Sequence, residues 1–342
     1  MPEHGGDPAE LEKLYGRPEK GWLDLSTGIN PCPYRARGLN PDDWGPLPTL
    51  KDITRLRQAA AKCYGALDEA FVVPAPGTQS LIQTLPRLRP TGRVCVLSPT
   101  YNEHAHCWRA AGHDVTEISR LSSDVENADV VIVVNPNNPD GRRHDPQNLK
   151  NLAARQAENG RWLVVDEAFC DVTPELSLAS LAGAPGLIIL RSFGKFYGLA
   201  GLRLGFALTE TRLAEQLSTR LGPWSVSTPA IKVGVQALSD QHWIENTREE
   251  LQKSSDRMDQ LLSDIGMSIV GGTILFKLVE SEDASSHFHW LAGDGILVRK
   301  FQHNPEWLRF GLPFKDNDWQ RLEASLSAWA ASQSQAELVS GR

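Results

Sequence analysis

The chain has 342 residues, 41% of them hydrophobic and 23% charged, with 28 glycines and 22 prolines, which excludes a disordered or collagen-like chain and leaves core enough for two domains. With 35 basic against 42 acidic side chains its net charge is −7, so no global basic field attracts nucleic acid or an anionic membrane, and any anion must be met by a few local groups. The cysteines, Cys32, Cys63, Cys95, Cys107 and Cys170, are odd in number and scattered without a Cys-x-x-Cys pair; they argue for free thiols in a reducing cytoplasm and against a disulfide framework or a metal site. MPEHGGDPAE has no apolar signal core, and no run approaches the roughly 18–20 apolar residues of a membrane span.

In chain order, residues 1–48 are rich in proline and glycine and read as an irregular arm. From Thr49, TLKDITRLRQAAAKCYG sets apolar residues at helical spacing behind a threonine N-cap. AFVVPA, RVCVLSP, HDVTEIS, DVVIVVNP, RWLVVDEAF, GLIILRSF and LGFALT then read as strands, with helices such as GTQSLIQTLPRL and QNLKNLAARQAENG between most of them. Near-continuous apolar strands alternating with helices predict a mostly parallel sheet covered on both faces. After about residue 210 the pattern changes. Helices, the longest from Trp243 to Ile265, precede shorter strands in MSIVGGTILFKLV, GILVRKF and EWLRFGLP. A last helix around DNDWQRLEASLSAWA and a frayed tail, SQSQAELVSGR, follow. The class expected is α/β: an arm over 1–48, a large helix-covered α/β domain over 49–240 and a smaller α+β domain over 241–342.

Ligands of open α/β sheets bind at the carboxyl ends of the strands, and four segments with chemistry fall there. They are Gly77-Thr78-Gln79 in AFVVPAPGTQS, Asn135, Asn137 and Asn138 in VVNPNNPDG, Asp166-Glu167 in VVDEAF, and Ser192, Lys195 and Arg203 in SFGKFYGLAGLRLG. Singly, each has an ordinary explanation: a helix start, a surface turn, a carboxylate pair capping a helix, a solvated lysine. Together they suit pyridoxal 5′-phosphate, which needs a lysine amine for a Schiff base and a buried carboxylate opposite the pyridine nitrogen. Its phosphate needs backbone N–H groups at a helix start, a hydroxyl and a guanidinium, and its phenolic oxygen needs a donor.

PGTQSLI, SPTY, NPNNPDG, VVDEAF and SFGKFYGLAGLRLG, in this order, resemble the fold-type I pyridoxal-phosphate enzymes, the aspartate-aminotransferase-like group, over nearly the whole chain. Within that group HGGD, LDLSTGINPCPY and PGTQSLIQTLPRL resemble the branch that decarboxylates threonine phosphate for cobalamin biosynthesis, a relative of the histidinol-phosphate aminotransferases. The resemblance implies that Lys195 is the Schiff-base lysine and Asp166 the partner of the pyridinium nitrogen. It implies that Asn138 donates to the phenolic oxygen, that Tyr101 stacks on the ring, and that Gly77, Thr78, Gln79, Ser192 and Arg203 hold the cofactor phosphate. Arg309 would grip the substrate carboxylate and Arg299 the substrate's own phosphate. His4 would close over that phosphate from the arm, and backbone around Gly28 and Asn30 would line the same pocket. A homodimer and a phosphorylated amino-acid substrate are implied as well.

Three departures from the group's pattern stand out. Phe169 occupies a position where a tyrosine commonly bonds the phenolic oxygen, which shifts that task towards Asn138. Leu47-Pro48 replaces a Tyr-Pro that reaches the neighbouring subunit, and Gly194 replaces a serine before the lysine. The expected reaction is loss of carbon dioxide from O-phospho-L-threonine to give (R)-1-amino-2-propanol phosphate. The alternative is transamination of a substrate such as histidinol phosphate, since the sequence does not show which bond at Cα stands ready to break. A non-catalytic sensor fused to a DNA-binding domain is disfavoured, because residues 1–48 are neither basic nor patterned as helix-turn-helix. His104, His106 and His113 read as surface or supporting groups with no metal, and the ten tryptophans as core and interface packing.

Overall fold

β-Branched runs such as Val130–Val134 place side chains on both faces of a strand with nothing polar among them, and such strands are stable only with helices on either side. The computed structural model describes residues 5–121, 125 and 127–340, excepting the side chains of Glu10 and of 334–340. Residues 5–32 and 247–340 form one unit, and residues 33–246 another.

The first residues of the small unit carry α1 (Ala9–Tyr15) and β1 (Leu23–Asp24) where the composition suggested only an irregular arm. Residues 33–48 belong instead to the large unit. There Tyr34 N–H donates to Tyr197 O at 2.9 Å and the Tyr34 hydroxyl donates to Asp240 at 3.3 Å.

The large unit then runs α2 (Leu50–Tyr64), β2 (Val72–Ala75), α3 (Thr78–Thr84), β3 (Arg93–Leu97), α4 (Glu103–Ala110), β4 (Asp114–Ile118) and β5 (Val130–Val134). It continues through α5 (Pro146–Glu158), β6 (Trp162–Asp166), β7 (Leu187–Ser192), α6 (Phe193–Phe196), β8 (Gly205–Thr209), α7 (Thr211–Leu221) and α8 (Thr228–Ser239). Each of the seven runs read as strands forms one. They order as β2-β8-β7-β6-β5-β3-β4, parallel throughout except at β8, which lies antiparallel to β2 and β7. Val130, Val131, Ile132 and Val133 are completely buried, each contributing about 1.5–3 kcal/mol by leaving water. Parallel neighbours share one direction, so the carboxyl ends of β3, β5, β6 and β7 share one edge. Tyr101, Asn138 and Lys195 lie just beyond β3, β5 and β7, and Asp166 is the last residue of β6.

Helix α9 (Gln241–Asp264) carries the chain from the large unit into the small one, which continues with β9 (Ser268–Thr273), β10 (Phe276–Glu280) and α10 (Ala284–Gly293). β11 (Ile296–Leu297), β12 (Arg299–Phe301), β13 (Asn304–Gly311) and α11 (Asp316–Ser340) complete it. An antiparallel sheet orders β12-β13-β10-β9, and β1 pairs in parallel with β11. MSIVGGTILFKLV is broken into a hairpin because Thr273 Oγ1 accepts from Leu275 N–H at 3.1 Å and turns the chain. GILVRKF is likewise divided between two sheets. The tail expected to fray continues α11 to Ser340, in keeping with the helix-forming Ala, Gln, Glu and Leu within it.

Helix α2 begins as its sequence predicts. Asp52 N–H donates to Thr49 Oγ1 at 3.2 Å and Asp52 Oδ2 accepts from Thr49 N–H at 3.0 Å, a reciprocal cap. Thr49→Ala is expected to cost about 1 kcal/mol in urea unfolding of the large unit; an unchanged midpoint would show that the cap carries no stability.

Candidate active site

In the large unit the turn from β2 into α3 needs glycine for two reasons. Gly77 has φ +81°, and a Cβ there would lie 2.5 Å from Arg203 Nη2, so the guanidinium rests directly against the turn. Gly205 is constrained from the other side, since its Cβ would lie 2.6 Å from Thr78 N. Arg203 itself sits in the left-handed region at φ 54°, with Nη1 donating to Ala200 O at 3.1 Å. A non-glycine residue there is strained by roughly 1–3 kcal/mol. Backbone N–H groups opening a helix and an exposed guanidinium held against them make a corner suited to a phosphate. Ser192 stands at the N-cap of α6, two residues beyond the completely buried Leu190.

Asp166 closes β6 and is 3% exposed. Its Oδ1 accepts from Ala168 N–H at 2.9 Å, and its Oδ2 lies 2.8 Å from Nε2 of the equally buried His104, the nitrogen there being the donor. The carboxylate is therefore fixed by two donors without a fixed positive charge, an arrangement able to hold a cationic ring nitrogen. Sequence alone read His104 only as a surface or supporting group. The available signal was its spacing to Cys107 and Trp108, three and four residues on, which places all three on the buried face of α4. Tyr101 packs edge-on to His104 with ring centroids 6.1 Å apart and donates to Gln79 Oε1 at 3.2 Å; Gln79 Nε2 in turn donates to Glu103 at 2.6 Å. Burial, with Glu103 and Asp166 nearby, raises the Tyr101 pKa far above its ordinary value, so the phenol stays neutral.

Glu167, adjacent in sequence, does unrelated work. It accepts from Arg191 Nη1 at 2.8 Å, from the Ser177 hydroxyl at 2.6 Å and from Leu178 N–H at 2.7 Å, while Arg191 Nη2 donates to Asp171 at 2.6 Å. Burial alone would lower the Arg191 pKa, but Asp171, Cys170 and Glu167 outweigh it and raise the pKa well above normal. The Arg191 guanidinium also lies 4.3 Å from the centroid of the Tyr64 ring. This is a structural ion network in the interior, and it leaves Asp166 as the member of the pair with chemistry at the strand end.

Lys195 lies in α6, half-buried, its Nζ 5.8 Å from the centroid of the buried Phe169 ring. Gly194 before it explains one departure in the motif: a Cβ at 194 would lie 2.7 Å from Ala200 Cα, so no serine fits. Asn138 is half-buried. Its neighbours brace the loop, with the Thr100 hydroxyl donating to Asn137 Oδ1 at 2.6 Å and Asn137 Nδ2 donating to Asp140 Oδ1 at 2.7 Å. Amine, oriented carboxylate and anion corner are the parts pyridoxal phosphate requires, and the large unit supplies all three.

In the small unit Arg309 is 7% exposed, and its Nη2 donates to Ser26 O at 2.7 Å. Arg299 stands directly opposite on β12, so two guanidiniums share one face of the sheet. Burial first, and then Arg299, lower the Arg309 pKa to about 9, against which Asp24 acts. A buried cation beside a like charge is relieved by binding an anion. Gly28 is buried; Asn30 is buried and spends Oδ1 on Cys32 N–H at 2.8 Å. His4 lies outside the described residues.

Two outcomes are expected. Gly194→Ser should destabilise by about 1–3 kcal/mol through its clash with Ala200 rather than add a phosphate donor, which calorimetry would read. His104→Ala should lower kcat roughly ten-fold by loosening Asp166, beyond any change in melting temperature; an unchanged kcat would reduce His104 to packing.

The family model Aminotransferase class I and II matches residues 43–323. The threonine-phosphate decarboxylase of Pseudomonas aeruginosa is 47% identical over 95% of this chain and 97% of its own length. One from Sinorhizobium is 43% identical over 90% of this chain and 92% of its own. Among solved structures, histidinol-phosphate aminotransferase from Sinorhizobium meliloti in complex with pyridoxal-5′-phosphate shares the fold, with a TM-score of 0.80 at 22% identity over 97% of this chain and 96% of its own. With that model spanning most of its length, this chain belongs to the class I and II aminotransferase family.

Proposed function

We propose that the protein is a pyridoxal-phosphate-dependent carboxy-lyase that converts O-phospho-L-threonine to (R)-1-amino-2-propanol phosphate and carbon dioxide, as a step of cobalamin biosynthesis. The observation that carries the reading is the cross-strand pair Arg299–Arg309, two cations on one face for a substrate bearing a carboxylate and a phosphate. The end-to-end identity with the two threonine-phosphate decarboxylases supports it.

When bound, pyridoxal phosphate supplies an aldehyde that captures the substrate amine and a protonated ring that accepts the electron pair released at Cα. The chain supplies the rest. Asp166, oriented by His104 and Ala168 N–H, would meet the ring nitrogen. Gly77, Thr78, Gln79, Ser192 and Arg203 would hold the cofactor phosphate, Asn138 would donate to the phenolic oxygen, Tyr101 would stack on the ring, and Phe169 would complete the cofactor-binding set. Lys195 Nζ holds the cofactor between turnovers and afterwards can carry a proton to Cα. Arg309 makes a two-pronged grip on the substrate carboxylate and Arg299 holds the phosphate, while Gly28, Asn30 and His4 complete the substrate-binding set. Fixing two substituents about Cα decides which bond is presented for cleavage. Grip on the phosphate, remote from the reacting carbon, is binding energy used for that orientation.

A homodimer in the cytoplasm completes the reading. Trp44, Leu47, Leu50 and Trp224 are exposed apolar side chains of the large unit, which a second copy of the chain would take out of water. Leu47 replaces the family's tyrosine, so the cross-subunit hydrogen bond that the tyrosine makes is absent and the dimer would rest on apolar contact. The five cysteines are all free thiols, as a reducing compartment requires. Among the described residues no helix is long and apolar enough to cross a membrane.

Three measurements test this. Phosphothreonine should release carbon dioxide in single turnover; accumulation of pyridoxamine phosphate, with a 2-oxo acid from phosphothreonine or a keto phosphate from histidinol phosphate, would replace the decarboxylase with an aminotransferase. Lys195→Ala should abolish both turnover and the visible absorbance of the bound cofactor, and retention of both would refute the lysine assignment. Arg309→Lys, which loses the two-pronged geometry, should raise KM for phosphothreonine by roughly ten-fold or more.

A further inference from the structure

Ser26 is almost fully buried in the small unit, and its polar groups join three separate stretches of chain. Its hydroxyl donates to Asp24 Oδ1 at 2.6 Å and accepts from Gly6 N–H at 2.7 Å, while its own N–H donates to the same Asp24 oxygen at 2.8 Å. Its carbonyl accepts from Arg309 Nη2 at 2.7 Å. The two glycines are matched to this residue. A Cβ at Gly5 would lie 2.7 Å from Ser26 O and 2.9 Å from its hydroxyl, and Gly6 turns the chain at φ +90°. Only a side chain that donates and accepts at once can stand between Asp24 and the Gly6 amide.

We propose that Ser26, oriented by Asp24, is a positioning residue for substrate binding: it fastens the Gly5–Gly6 segment and the Arg309 guanidinium to one point, so the N-terminal segment and the anion grip are set together. This rests on the reading of Arg309 as the substrate-carboxylate group. Loss of the hydroxyl leaves the Gly6 amide without its acceptor and Ser26 with one bond to Asp24 instead of two, so the carbonyl that meets Arg309 is held less firmly. The consequence falls on binding of the anionic substrate and spares the cofactor groups.

The test uses the full-length holoenzyme with O-phospho-L-threonine. Ser26→Ala should raise KM roughly ten-fold with kcat changed less than about two-fold, leave the cofactor absorbance unaltered, and speed amide hydrogen exchange in the N-terminal peptide containing Gly6. Ser26→Thr, which keeps the hydroxyl, should restore both KM and exchange protection. If Ser26→Ala does not fold, Asp24→Asn serves instead, with a smaller rise in KM and the same faster exchange. Faster exchange with unchanged KM would overturn the positioning role, and unchanged exchange would overturn the fastening itself. Should the wild-type protein release no carbon dioxide from phosphothreonine, the functional reading fails, while the exchange measurement still decides whether Ser26 holds the segment.

Discussion

A charge removed from water has to be matched, and this constraint sorts the polar interior of the protein into what supports the fold and what serves a ligand. Arg191 is matched in charge within the chain: Glu167, Asp171 and a tyrosine face surround it. Asp166 is matched differently, by a histidine and a backbone N–H that orient the carboxylate without neutralising it through a fixed positive charge. Arg309 is anchored to a carbonyl, with its like-charged neighbour Arg299 across the ladder. The adjacent acids Asp166 and Glu167 thus belong to different categories, although they are indistinguishable in composition.

The sheet makes this separation possible. Parallel strands must all return through crossover helices, so their carboxyl ends gather along one edge and the loops that follow can each deliver one group. Lys195, Asp166, Asn138 and Tyr101 come from four such strand ends, and none disturbs the apolar strand interior that precedes it. The small unit achieves something comparable with antiparallel register, where a direct pair on β12 and β13 sets two arginines side by side.

Much of this could be read from the order of residues. Alternation of apolar runs with helical stretches gave the seven strands of the large unit, because a buried parallel strand has no polar face to confuse the pattern. The motifs around Lys195, Asp166 and Gly77 were legible because each couples a residue of definite chemistry to a strand end. What escaped was whatever depends on contacts distant in the chain. His104 looks ordinary until Asp166, 62 residues away, is brought against it. Glycine in place of serine at 194 looks like a lost donor until Ala200 is seen to occupy the space. Short elements such as α1 and β1 escaped as well, since seven residues and two residues carry too little periodicity to register.

Arg203 shows how such a site limits the protein that carries it. Its backbone adopts a conformation that glycine accepts freely and arginine does not, so the chain would fold more comfortably without the guanidinium. Drift towards greater thermal robustness would therefore favour the replacement that empties the phosphate corner. A library of variants ranked only by melting temperature would discard this arginine early, because its backbone conformation gives no reason to keep a side chain there.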